Sequence, residues 1–207
     1  MIPAELDYSC ITLAILAGGQ GRRMGLPKAN LQIAGRPILE YLLDHFSWPG
    51  KTLLVTAPGL EHPPGWKRFH REAIDPVANE GPLRGVLTAL QNAATSLVVI
   101  TTLDMPCIGL EHLHWSLEGL AARPDCLGLM FRHPIDSRDQ IEPFPFACRL
   151  AAARPISNYL ATGGRTMHSL LDQPGFISEV TPDLWPASVW TNLNKPEELE
   201  EFLESIG

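Results

Sequence analysis

The sequence has no apolar run approaching the roughly 18 residues that a membrane-spanning helix needs, so no membrane partner is expected. It has no excess of positive charge either. Sixteen Lys and Arg stand against 23 Asp and Glu, a net −7 over 207 residues, which excludes a general nucleic-acid binder with a basic face. The four cysteines, Cys10, Cys107, Cys126 and Cys148, include no C-x-x-C pair and no companion histidine pair. They read as buried thiols rather than zinc ligands or a disulfide framework. Glu5 and Asp7 stand where a signal peptide would be basic, so the cytoplasm is the expected compartment. No repeat, low-complexity tract or linker interrupts the chain. One domain over residues 1–207 is expected.

What the sequence does have is alternation. Apolar runs at 11–16, 52–56, 96–104 and 126–131 read as buried strands, and helical spacing runs through 37–46, 82–93 and 109–122. Further helices are expected near 149–161, 164–172 and 196–205. The proline-rich stretches 58–64 and 133–145 read as surface loops. Strands alternating with helices predict an α/β fold: a three-layer, doubly wound, mostly parallel sheet of Rossmann-like type. In such sheets ligands sit beyond the carboxyl ends of the strands, so the strand exits are where chemistry is sought.

The first exit reads LAGGQGRRMGLPK, Leu16 to Lys28, with four glycines and three cations. No carboxylate occurs between Asp7 and Glu40. The loop fails the dinucleotide fingerprint, since Met24 stands where the third glycine belongs, and it has no Walker A G-K-[ST]. No acidic residue ends the second strand, which argues further against a dinucleotide-dependent oxidoreductase. Glycines that aim backbone N–H groups, with Arg22, Arg23 and Lys28 beside them, still suit a phosphate; a solvated surface loop is the bland alternative. Asp104 ends the most β-branched run just before Met105-Pro106. A lone carboxylate there suits Mg²⁺, which takes one or two carboxylates plus phosphate oxygens, or else a simple turn. Asp75, followed by the GPLRG of 81–85 at a helix start, is either part of the same site or an ordinary loop. Asn192 and Asn194 alternate before Pro196, so an extended backbone would aim both side chains one way, although Asn194 also suits a helix cap. No Ser-His-Asp or Cys-His arrangement is evident, and His112 and His168 read as ordinary helix residues.

Taken in order, these motifs resemble the nucleotidyltransferases that activate a phosphorylated substrate with an NTP. Within that group the chain is similar to the molybdenum cofactor guanylyltransferases. The matching elements are the L-A-G-G-x(3)-R-M-G…K loop, an aspartate followed by G-P-L-x-G, the D-x-P after a β-branched strand, G-G-R-T-M, and N-x-N-x-P-E-E-L near the end. The first is shared with sugar-nucleotide pyrophosphorylases and cytidylyltransferases; G-P-L-x-G with N-x-N-x-P-E is more specific. The resemblance implies transfer of GMP from GTP to molybdopterin with release of pyrophosphate. It implies nucleotide contacts from Leu16, Ala17, Gly18 and Gly19, triphosphate contacts from Arg22 and Lys28, and a guanosine contact from Asp75. It further implies Mg²⁺ at Asp104, with Asn192 and Asn194 toward the pterin. Catalysis would rest on Lys28, Arg22 and Asp104. Transient contacts with cofactor-biosynthesis or molybdoenzyme-maturation proteins are implied too. The chain departs from the family pattern at Thr56, where the second strand usually ends in a base-binding asparagine. It departs again at Leu26-Pro27 before the lysine, and at Arg84 in place of alanine. A cytidylyl or other NTP-using relative, or a non-catalytic nucleotide-binding protein, are the competing expectations.

Overall fold

A computed structural model describes residues 6–19, 21, 23–59, 61–135 and 138–206. Nine strands and five α-helices are described: β1 (Ile11–Leu16), β2 (Gln32–Ile33), β3 (Arg36–Pro37), α1 (Ile38–Phe46), β4 (Lys51–Thr56), β5 (Arg71–Ile74), α2 (Pro82–Asn92), β6 (Leu97–Thr102), α3 (Leu110–Ala121), β7 (Gly128–Ile135), β8 (Arg138–Arg149), α4 (Ala153–Ala161), β9 (Phe176–Val180) and α5 (Pro196–Ile206). Seven strands form one sheet in the order β5-β4-β1-β6-β8-β7-β9; β2 and β3 make a separate small hairpin. β5, β4, β1 and β6 run parallel, β8 runs antiparallel to β6 and β7, and β9 is parallel to β7.

The centre of the sheet is buried on both faces. Successive residues Leu13, Ala14 and Ile15 in β1, and Val98, Val99 and Ile100 in β6, are all fully buried. Since side chains alternate across a strand, helices must cover each face, and this makes the three layers. The helices supply the matching stripes. α1 buries Ile38, Leu39, Leu42, Leu43 and Phe46, and α2 buries Leu83, Val86, Leu87 and Leu90, each at helical spacing. Full burial of one such side chain stabilises by about 1.5–3 kcal/mol. No helix among the described residues is long and apolar enough to cross a membrane.

Two expectations need correction. Within the stretch expected as a surface loop, residues 133–135 are instead the end of β7 and residues 138–145 most of β8. Its prolines misled because proline cannot donate to a ladder. Here Pro143 and Pro145 fall at a register shift in the β7–β8 ladder, between the pairs Phe131–Glu142 and Leu129–Ala147, just before the residues 146–149 that also pair with β6. The second correction is Cys10, which is exposed. Cys126 and Cys148 are buried and Cys107 is half-buried, and all four are free thiols. At smaller scale, the helix expected at 164–172 is a short 3-10 segment, His168–Asp172, and the one expected from 149 begins as a 3-10 turn, Leu150–Ala152, before α4.

β1 is central to function. From it the chain steps outward through β4 and β5, then returns to place β6 on its other side. Leu16, the last residue of β1, is in register with Val55 of β4 and Thr102 of β6. Three strand exits therefore open into one crevice at the point where the winding reverses, the place where open parallel sheets bind ligands.

Candidate functional site

At that crevice lies a cavity of about 580 Å³. Of the residues singled out in the sequence, Leu16, Gly18, Gly19, Lys28, Asp75 and Asp104 line it. Ala17 lines a separate cavity of about 270 Å³ instead. Its N–H donates to the Val55 carbonyl at 2.7 Å, which prolongs the sheet by one bond. Arg22 lies outside the described residues.

The loop after β1 turns back sharply enough to need glycine at one point. Gly21 has φ +56°, and a Cβ there would sit 2.0 Å from the Leu26 carbonyl oxygen. No side chain fits so close to a backbone oxygen. The turn delivers Lys28, whose backbone opens a short 3-10 segment (Lys28–Asn30) and whose ammonium points across to β6. Lys28 Nζ donates to Asp104 Oδ2 at 2.6 Å and to Asn194 Oδ1 at 2.8 Å. The other Asp104 oxygen, Oδ1, accepts from the Thr102 hydroxyl at 2.5 Å. Thr102 had no motif to reveal it; its place two residues before the aspartate at a strand end is the only signal. Leu193 N–H donates to the Asp104 carbonyl at 2.8 Å, and Glu198 Oε2 accepts from the N–H groups of Asn194 and Lys195 at 2.6 and 3.0 Å.

The paired-asparagine expectation therefore divides. Asn194 does not cap α5 with its side chain. Glu198 takes the capping role, and the amide of Asn194 holds the lysine. Asn192 is not brought to the lysine: its Nδ2 donates to the Trp190 carbonyl at 3.0 Å.

Asp75 sits just beyond β5 on the other wall. Its N–H donates to the Thr56 carbonyl at 2.8 Å, while its Oδ1 is buried with no hydrogen-bond partner among the described residues. Burial pushes its carboxyl above the usual carboxylate range, against the smaller pull of the nearby Thr88 hydroxyl and the Arg84 charge. A buried carboxylate oxygen is costly without a donor, and the Thr88 hydroxyl, itself buried and otherwise unpartnered, is the donor beside it. α2 starts at the same wall with Pro82 in its first turn and no side-chain cap, which leaves N–H groups free for an anion. Gly85 allows the helix to approach β1, since a Cβ there would meet the Leu16 side chain at 3.3 Å. Arg84, the departure from alanine, donates from Nε to Glu80 Oε2 at 2.6 Å, one turn back.

Thr56 is turned out of this arrangement. It is buried, it lines the smaller cavity, and its hydroxyl donates to Glu72 Oε1 at 2.9 Å. Glu72 in turn pairs with His62 Nδ1 at 2.7 Å. No group of three or more His, Cys, Asp or Glu among the described residues is placed to hold a metal by itself. Asp104 offers a single carboxylate, which fits a hard cation that completes its shell with phosphate oxygens and water.

This geometry has relatives. The chain is 29% identical over 192 residues to the probable molybdenum cofactor guanylyltransferase of Deinococcus radiodurans, covering 93% of each chain. It is 28% identical over 202 residues to the molybdenum cofactor guanylyltransferase of Syntrophotalea carbinolica, covering 91% of this chain and 88% of the other. Its fold is similar to that of molybdopterin-guanine dinucleotide biosynthesis protein A from Archaeoglobus fulgidus, at TM-score 0.78 and 23% identity over 94% of this chain and 98% of the other. It is also similar in fold to the 2-C-methyl-D-erythritol 4-phosphate cytidylyltransferase of Thermus thermophilus, at TM-score 0.71 and 16% identity over 93% and 96% of the two chains. Residues 13–175 match the family described as the MobA-like NTP transferase domain, a span that contains most of β1, the glycine loop, Lys28, Asp75 and Asp104, and to that family the chain belongs.

Proposed function

We propose that this protein, acting as a single domain in the cytoplasm, binds GTP and transfers GMP to molybdopterin, with release of pyrophosphate. The observation that carries the reading is the meeting of Lys28 and Asp104 in one cavity that Asp75 also lines. Lys28 and Asp104 would serve the phosphates, and Asp75 the nucleoside.

In this reading a phosphate oxygen of molybdopterin attacks the α-phosphorus of GTP, a new P–O bond forms, and the bond to the pyrophosphate leaving group breaks in line. Such a transfer needs alignment and charge neutralisation rather than a covalent nucleophile. Backbone groups of Leu16, Gly18 and Gly19 lie along the nucleotide, and Ala17 fixes that loop to β4. Lys28 and, by the family pattern, Arg22 hold the triphosphate. Asp75 accepts from the donors of guanine or ribose. Asp104 would hold Mg²⁺, which would supply further charge neutralisation when bound. By the family pattern, Asn192 would face the pterin. Contacts with proteins that make or insert the cofactor would be transient.

One observation favours a second reading. The Thr56 hydroxyl is committed to Glu72, so the base contact usually made at that position is missing, and a related transfer from CTP or another NTP follows naturally. Thermal shift with each NTP, with and without Mg²⁺, separates the two, because a ligand of the native state raises Tm by mass action. Stabilisation by GTP with Mg²⁺, followed by pyrophosphate release on adding molybdopterin, is the expected result. A response to CTP instead moves the substrate, and no response to any nucleotide overturns both readings.

A further inference from the structure

We propose that Asn194 is a positioning residue for Lys28: a pivot that keeps the ammonium in the site when a divalent cation displaces it from Asp104. The inference rests on the reading of Asp104 as the cation's carboxylate. Without a nucleotide, both oxygens of that carboxylate are engaged, Oδ1 by the Thr102 hydroxyl and Oδ2 by Lys28. A cation and an ammonium cannot share Oδ2, because their repulsion at contact distance in a partly dry site is strong. The Lys28 and Asp104 side chains are only 15% and 22% exposed, so water does little to screen them. Cation entry therefore requires Lys28 to leave.

Asn194 makes that departure feasible. Its Oδ1 already accepts from the same ammonium at 2.8 Å. It is neutral, so the incoming cation does not draw it away as it would a second carboxylate. It is also fixed at both sides, by the bonds of Asn194 and Lys195 to Glu198 and of Leu193 to the Asp104 carbonyl. An ammonium has three donors. Keeping one on Asn194 and swinging the others off Asp104 turns them toward the cavity that Lys28 lines, where the phosphates of the incoming nucleotide would lie. If Asn194 lacks its acceptor, Lys28 has Asp104 as its remaining partner in this cluster, and the cation must leave a part-buried charge unpaired.

The test is Mn²⁺ binding to the intact, nucleotide-free protein, read by the electron paramagnetic resonance signal of the free ion and titrated to millimolar concentration. Four proteins are compared: wild type, Asn194→Leu, Lys28→Met and the double variant. Lys28→Met should bind Mn²⁺ about tenfold more tightly than wild type, the size of one partly screened ion pair. Asn194→Leu should bind it several-fold more weakly. In the Lys28→Met background, Asn194→Leu should change nothing, because the pivot has no lysine to hold. Equal weakening in both backgrounds would make Asn194 a cation ligand or a structural prop and overturns the proposal. So does an unchanged affinity in Asn194→Leu, or no Mn²⁺ bound by Lys28→Met. Pyrophosphate release by the wild-type protein is measured separately. Turnover there with failure here removes only the pivot, whereas absence of turnover with every NTP removes the transferase reading.

Discussion

Asp75→Asn sets binding against stability at a single atom. The wild-type carboxylate has a buried oxygen beside the Thr88 hydroxyl, and its burial raises its pKa above the ordinary aspartate value of 3.8. Above both the unfolded and folded pKa values, Asp75 is charged in both states and the folded state bears the desolvation. Below both, it is neutral and the penalty is gone. The folded protein thus holds this proton more tightly than the unfolded chain, so the Asp75 contribution to stability declines as pH rises from about the unfolded value through the raised folded value. Asparagine keeps the shape and carries no charge. The ligand-free variant is therefore expected to be more stable than wild type at pH 7, read as a higher Tm. The difference should shrink toward zero as pH falls below the unfolded value.

Nucleotide binding should move the other way. A hydrogen bond to a charged acceptor is worth about 1.5–3 kcal/mol net, so its loss weakens affinity by roughly 10- to 100-fold. Thermal shift across pH, with and without the nucleotide that wild type prefers, reads both effects on the same samples. A variant that loses stability at pH 7, or a gap that stays flat in pH, would mean that the Asp75 charge already has a partner. Unchanged nucleotide affinity would remove Asp75 from the site.

Two further outcomes are expected. Lys28→Ala should lower the rate of pyrophosphate release by roughly 100- to 1,000-fold, as loss of one well-placed charge donor does, with far-UV circular dichroism unchanged; full activity would exclude the phosphate role. Gly21→Ala places a Cβ 2.0 Å from the Leu26 oxygen at a left-handed φ. It should cost about 1–3 kcal/mol and abolish the nucleotide-induced rise in Tm; retention of that rise would mean the loop reshapes without consequence.

The halves of the fold differ in how far the sequence reveals them. β1, β4, β6 and the helices α1 to α3 are contiguous apolar runs and single-stripe helices, because each strand is buried on both faces and each helix on one. Their periods survive in the sequence. β8 does not read as a strand, since its prolines normally mark loops, and here a register shift in the β7–β8 ladder admits them. β5 and β9, the sheet edges, are short and partly exposed, so they carry little apolar signal. In the site, Lys28, Asp75 and Asp104 were legible as strand-exit residues flanked by glycine or proline. Thr102 and Glu198 were not, because they act on partners two to four residues away through no motif; nor was the pairing of Asn194 with Lys28, 166 positions apart, which tertiary approach sets.

Thr56 shows how a local sequence departure acquires meaning only in three dimensions. A short side chain where the resembled family pattern has an asparagine suggests that introducing the amide would restore base recognition. The geometry argues otherwise. Thr56 lines the smaller cavity, and its hydroxyl belongs to a chain that runs through Glu72 to His62, which stacks on Trp66 with ring centroids 4.1 Å apart. Glu72 is largely buried, at 12% side-chain exposure, so depriving it of a donor is costly. Thr56→Asn therefore has to fit a larger side chain into a buried position and re-pair Glu72 at once. The expected result is a loss of about 1–3 kcal/mol, with the order of preference among NTPs unchanged in thermal shift. A variant that gains affinity for GTP at no cost in Tm would show that residue 56 faces the base after all, and would move recognition from the 75–85 wall back to the end of β4.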